Sequence, residues 1–119
     1  RGGVVLFFGG SGDPVPNYSI GGFQIALEAV EAMRRQYSSE LGAAGVRFVT
    51  LRTGGVPDTI PEAMDGGEAL ARSLNEATMT GRAATLEDVG AVAAFVASDK
   101  ARTMTAATVN VSAGALIDH

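Results

Sequence analysis

The chain has 119 residues, no cysteine, one histidine, 46% hydrophobic residues and a net charge of −4. This composition excludes disulfides, thiolate metal sites and a cysteine nucleophile. The nine lysines and arginines are scattered rather than gathered into a stripe, so neither nucleic acid nor an anionic membrane is an expected partner.

A single cytoplasmic α/β domain is the expectation, burying about two thirds of its unfolded surface. No apolar run approaches the roughly 18 residues of a bilayer span, and the longest, Val4 to Phe8, has the length of a strand. Arg1 leads almost directly into that strand without an initiator methionine or a leader, so the chain is read as a portion of a longer polypeptide.

In chain order, the first predicted element is a strand over about 4–8, apolar throughout as in a sheet covered on both faces. A helical stripe follows in Ile20, Phe23, Leu27, Val30, Met33, Tyr37 and Leu41, with Glu31 and Arg35 expected as a pair on the outer side. Gly42 and Gly45 punctuate its end, where a residue without Cβ takes positive φ at little cost. A second strand is expected over 46–51, then a Gly- and Pro-containing loop from Thr53 to Gly67 and a modest helix over 68–77. A better helix over 86–98 starts at a Thr85 cap with Asp88 near the capping-box position, and buries Leu86, Val89, Val92, Ala93 and Val96. A third strand over 108–111 closes the chain. Right-handed crossovers lay the strands side by side and parallel, with helices on both faces.

Several segments then match a known pattern. Gly81-Arg82, Glu87-Asp88-Val89, Phe95, Ser98-Asp99, Ala101, Met104-Thr105 and the run Val109 to Gly114 resemble the carboxy-terminal signature of the short-chain dehydrogenase/reductase family, G-R-x-x-x-P-E-D-V, F-L-x-S-D-x-A, I-T-G and V-D-G-G. Upstream, "ELGAAGVRFVTLRTGG" is similar to E-L-x-x-x-G-I-R-V-N-x-x-x-P-G, and "GGVVLFFGGSG" to the strand that ends at the family's catalytic serine. The resemblance implies a partial Rossmann-like doubly wound parallel sheet, here the carboxy-terminal half, in an oxidoreductase using NAD or NADP once the amino-terminal half is supplied. The glycine-rich turn that seats the cofactor pyrophosphate belongs to that other half. Gly9 to Gly12 follow a strand like a phosphate cradle, but Asp13 to Pro16 delay the helix and add a carboxylate, which favours a plain loop.

The family's chemistry needs a tyrosine, a lysine four residues later on the same helix face, and an upstream serine. Two registers are open. With Tyr18 as the tyrosine, the lysine position is Gly22; with "ALEAV" aligned to A-A-L-E-A-L, the two positions are Ile20 and Gln24, and this second register is preferred. Neither holds a Tyr-x-x-x-Lys pair. Gln24 can hydrogen-bond a ribose hydroxyl but has no charge to stabilise a phenolate. The candidate catalytic residues are therefore Tyr18, Ser11 and Gln24, with packing ahead of the helix as the plainer role for Tyr18.

The resemblance also sets the loop after the second strand, P-G-x-I-x-T in the family, against the nicotinamide. Gly54, Val56 and Thr59 are its counterparts here. Residues 57–80 correspond to the family's lid over a small-molecule substrate. No metal site is expected, since lone His119 has no partners, and Asp58, Glu62 and Asp65 read as solvated loop carboxylates.

Two functions remain open: a portion of an NAD(P)-dependent oxidoreductase with impaired catalysis, or a non-catalytic packing and oligomerisation module. For the second, Ala26, Ala29 and Ala32 permit close approach of a partner helix, and the apolar first strand invites pairing along its edge. A homo-oligomer, or a complex with the chain's own amino-terminal half, is expected on either reading.

Overall fold

The computed structural model describes residues 2–10 and 19–119. Its elements are β1 (Gly3–Gly9), α1 (Gly21–Leu41), β2 (Val46–Arg52), α2 (Gly67–Glu76), α3 (Leu86–Ala97) and β3 (Ala107–Asn110), with short 3-10 turns at Gly42–Ala44, Pro57–Thr59 and Asp99–Ala101. The strands form one parallel sheet in the order β1-β2-β3. Register runs from Gly3 opposite Val46 to Gly9 opposite Arg52, and from Val49 opposite Ala107 to Arg52 opposite Asn110. This is the Rossmann-like architecture expected, with each strand within two residues of its predicted limits.

β2 is the central strand, and its alternation assigns one face of the sheet to each helix. Val49 and Leu51 point toward α3, where they form the core with Ala84, Val89 and Val96. Fully burying a side chain such as Leu51 is worth about 1.5–3 kcal/mol, so this cluster is the main apolar anchor. Phe48 and Thr50 point toward α1, with Phe48 against the rings of Tyr37 and Phe7 at centroid distances of 6.0 and 6.4 Å.

The α1 stripe departs from expectation. The residues turned inward are Gln24, Leu27, Val30, Glu31, Arg34 and Ser38, whereas Phe23, Met33, Tyr37 and Leu41 are exposed. Glu31 is not on the outer side with Arg35. Its carboxylate faces the sheet, accepts the Thr50 hydroxyl at 2.6 Å and pairs with Arg34 at 3.1 Å. A fully buried threonine hydroxyl needs an acceptor, and supplying one rotates the helix away from its most apolar orientation.

At the end of α1 only Gly45 adopts positive φ, +84°, while Gly42 remains helical at −60°. α3 begins with the expected capping box: the Thr85 hydroxyl accepts from the Asp88 N–H, and the Asp88 carboxylate accepts from the Thr85 N–H. Its buried stripe excludes Leu86, which is exposed. At the other end, the Arg47 guanidinium on β2 donates to the carbonyls of Ser98, Ala101 and Met104, tying the central strand to the segment that follows α3.

Candidate active-site cleft

In a parallel α/β sheet, ligands bind outside the carboxyl ends of the strands. There a cavity of about 500 Å³ opens between the end of β1, the first turns of α1, the loop after β2 and the segment after β3. A larger depression of about 720 Å³, between residues 57–62 and α2, lies away from the strand ends and is more open. Another depression, of about 670 Å³, meets the end of β2 at Arg52 and is otherwise lined by Thr108 and residues 115–119; the candidate is the cavity that joins the end of β1, the start of α1 and the loop after β2.

The end of β1 supplies Phe8, Gly9 and Gly10. A Cβ at Gly9 would lie 3.1 Å from Thr50 Cγ2, so the strand end fits closely over β2. The Gly9 carbonyl accepts from the Thr53 N–H at 3.1 Å, extending the pairing by one bond. The resemblance places a catalytic serine at this strand end, where Gly9 and Gly10 carry no hydroxyl. Ser11 and Tyr18, two of the candidate catalytic residues, lie outside the described residues, as do the remaining residues of the imagined phosphate cradle.

From α1, Ile20, Phe23, Gln24 and Leu27 line the cleft, the spacing that one helix face provides. Gly22, the lysine position of the first register, is exposed and is not among the lining residues. Ile20 and Gln24, the positions of the second register, both are. On the second register an aliphatic side chain and a neutral amide line the cleft at the family's two positions, whereas Tyr18 of the first register lies outside the described residues.

The loop after β2 contributes Thr53, Gly54, Gly55, Val56 and Thr59. Two of these need to be glycine. Gly54, at φ +66°, would place a Cβ 2.9 Å from that of Ser112, and Gly55, at +130°, would place one 2.7 Å from Leu74 Cδ2. The Thr59 hydroxyl donates to the Val56 carbonyl at 2.7 Å, closing the turn and keeping its lone pairs for an outside donor. Gly54, Val56 and Thr59 are thus on one wall, facing Gln24 and Leu27.

Leu116 completes the lining and was not singled out from the sequence. A polar knot behind the cleft holds it. The Ser112 hydroxyl and N–H donate to Asn110 Oδ1, the Leu116 N–H donates to Ser112 Oγ at 3.0 Å, and Asn110 Nδ2 donates to the Leu116 carbonyl at 2.8 Å. The segment that corresponds to the family's lid is tied at both ends. Asp58 Oδ2 accepts the Leu86 N–H at 2.9 Å, and the Ala113 carbonyl accepts from Met79 and Thr80 at 2.9 and 3.3 Å. Asp58 is therefore not simply solvated. Nothing local in the sequence signals a bond that spans 28 positions.

Among the described residues no group of three or more histidine, aspartate or glutamate side chains is placed to hold a metal ion, and no helix is long and apolar enough to cross a membrane.

A parallel sheet with helices on both faces and a cleft at its carboxyl edge defines a Rossmann-like protein of the short-chain dehydrogenase/reductase type. Within that class, the family described as enoyl-(acyl carrier protein) reductase matches residues 3–115, and the chain belongs to it. Among curated relatives, enoyl-acyl-carrier-protein reductase (NADH) FabI of Haemophilus influenzae is 28% identical over 93% of this chain and 42% of its own length. The protein of the same name from Nostoc sp. is 31% identical with the same coverage.

Among solved structures, the enoyl-acyl-carrier-protein reductase (NADH) of Aquifex aeolicus superposes with a TM-score of 0.79 at 28% identity, covering 97% of this chain and 44% of that one. The Bacillus cereus enoyl-acyl carrier protein reductase, solved with NADP+ and an indole naphthyridinone, gives 0.80 at 27% identity, covering 95% and 44%. The chain spans less than half the length of these relatives.

Proposed function

We propose that the chain is the carboxy-terminal part of an NAD(P)-dependent oxidoreductase whose cleft seats the nicotinamide end of the cofactor and whose catalysis is impaired. One observation carries this reading: the cleft lies where a dehydrogenase needs it, yet its described lining contains no ionisable side chain. Gln24 can donate to a ribose hydroxyl, and the backbone at Gly54 to Val56 can meet a carboxamide. Neither can replace a proton donor, whose loss typically costs a factor of about 10²–10⁴ in rate. The relatives, enoyl-acyl-carrier-protein reductases, suggest an enoyl thioester as the substrate class. Residues 57–80 act as its lid, and the setting is cytoplasmic.

A second reading, an assembly module, is favoured by the outward apolar side chains of α1 and by Phe8 on the unpaired edge of β1. On this reading the chain is a homo-oligomer or a partner of its own amino-terminal half.

Fluorescence titration with NADH and NADPH, alongside the mass in solution, separates the two. Stoichiometric cofactor binding excludes the pure module. Stable dimers that bind neither nucleotide exclude the enzyme reading for this piece.

A further inference from the structure

The end of β2 carries a cation that does not line the cleft. Arg52 closes that strand, and its side chain is 22% exposed, so the guanidinium is fixed on the central strand and largely withdrawn from water. The register sets Thr50 opposite Thr108 and Arg52 opposite Asn110, which brings Thr108 and Asn110 of β3 to the same face of the sheet as Arg52. The depression of about 670 Å³ opens there, lined by Arg52, Thr108 and residues 115–119.

Arg52 is paired with Asp118 through a single bond, from Nη1 to Oδ1 at 2.9 Å. The two members of this pair are unequal. A guanidinium presents a fork that two oxygens of one ligand can meet with parallel bonds, whereas Asp118 supplies one oxygen and is itself 63% exposed. An exposed ion pair held in this way contributes little, because its carboxylate loses almost nothing on returning to water. An outside anion that meets the fork with two oxygens therefore displaces Asp118.

The surroundings say which anion. Asn110 Nδ2 lies 3.4 Å from the same Asp118 oxygen, and the Thr108 hydroxyl and the His119 ring belong to the depression's lining. Donors on more than two sides suit a tetrahedral phosphate better than a planar carboxylate. Leu116 and the exposed Ile117 add carbon on which the organic part of a phosphate monoester can rest.

We propose that Arg52 is the centre of a phosphate-binding site, with Asp118 as a built-in competitor that occupies it until a phosphate group arrives. The site does not depend on the nicotinamide reading, although it borders the cleft through Leu116, which lines both. Leu116 stays anchored when Asp118 leaves, since its N–H donates to Ser112 Oγ and its carbonyl accepts from Asn110 Nδ2. Residues 117–119 alone are released.

Inorganic phosphate, phenyl phosphate and acetate are each titrated into the purified chain at constant ionic strength set with chloride. Binding is followed by NMR at the Arg52 Nε–H and the Asn110 side-chain amide. Both phosphates are expected to saturate these signals, with acetate weaker by about fivefold or more. Tighter binding of phenyl phosphate identifies an esterified phosphate as the occupant, and equal or tighter binding of inorganic phosphate identifies the free ion. Asp118→Asn removes the competitor and is expected to tighten phosphate binding by about three- to fivefold. Arg52→Gln is expected to abolish saturation, with the methyl signals of Val49 and Leu51 unchanged as a check on the fold. Should that variant fail to fold, the Asp118→Asn arm decides alone, its side chain lying outside the core.

Shifts that do not saturate, acetate as tight as phosphate, or an Asp118→Asn variant that binds no tighter than the original protein would each overturn the proposal. So would saturable binding that survives Arg52→Gln.

Discussion

Thr50, fully buried on β2, donates its hydroxyl to Glu31 of α1 at 2.6 Å, and this bond sets the rotation of the helix against the sheet. Thr50→Val keeps the shape and removes the donor. Hydrogen bonds to charged groups contribute about 1.5–3 kcal/mol, so urea denaturation is expected to show a loss of about 2 kcal/mol. Glu31→Ala also leaves the buried Arg34 guanidinium unpaired, and a loss of about 3 kcal/mol or more is expected there. If both variants match the original protein, the bond does not hold the helix.

Two alanines occupy left-handed backbone conformations, Ala106 at φ +57° and Ala113 at φ +56°. Both stand where the resembling motifs, I-T-G and V-D-G-G, carry glycine. A left-handed conformation costs a residue with Cβ roughly 1–2 kcal/mol, partly offset by the greater unfolded-state freedom of glycine. Ala106→Gly and Ala113→Gly are each expected to raise stability by about 0.5–1 kcal/mol in thermal or urea unfolding. A loss at either site would mean that the methyl group makes a contact worth more than the strain.

The Asp88 carboxyl is held below the usual carboxylate range, first by the Thr85 N–H and then by the Thr85 hydroxyl. Its folded pKa is lowered, so its contribution is present above the unfolded value of about 3.9 and disappears as pH falls through the folded value. The difference in melting temperature between the original protein and Asp88→Asn is expected to shrink as pH drops from about 5 to below 3. Thr85→Ala removes the cap at any pH and is expected to cost about 1 kcal/mol. A difference that does not vary with pH would dissociate Asp88 from the cap.

Asp58 joins the beginning of the 57–80 segment to the start of α3 through the Leu86 N–H. Asp58→Ala is expected to speed hydrogen exchange at Leu86 about tenfold and to expose residues between 59 and 85 to proteolysis, while the Thr85–Asp88 box stays intact. Asp58→Asn retains an acceptor and is expected to show less than half of this effect.

Much of the fold was legible because it depends on local patterns. The apolar run of β1, the Thr85 and Asp88 pair before α3, and the positive φ of Gly45 each follow from residue type and spacing. The rotation of α1 was not legible. Its hydrophobic period points Phe23, Met33 and Leu41 inward, but the buried Thr50 hydroxyl on another strand draws Glu31 to the sheet instead.

The cleft was readable through Gln24, Gly54, Val56 and Thr59, since a family pattern connects them. Leu116 entered it through the Asn110–Ser112 knot, which no spacing rule reveals. The Asp58 bond is hidden for the same reason, both partners being distant in sequence.

The bonds that hold the cleft walls, from Thr53 to Gly9, within the 56–60 turn, and from Leu116 to Ser112, run through main chain or through side chains behind the cavity. Ile20, Leu27, Val56 and Leu116 contribute only carbon to the lining. Frame and lining are thus separable at Ile20, Leu27 and Leu116, whereas Val56 also packs against the core of Val49, Leu51 and Val96. New chemistry can be written into this cleft one side chain at a time, on a frame that does not depend on the chemistry it holds.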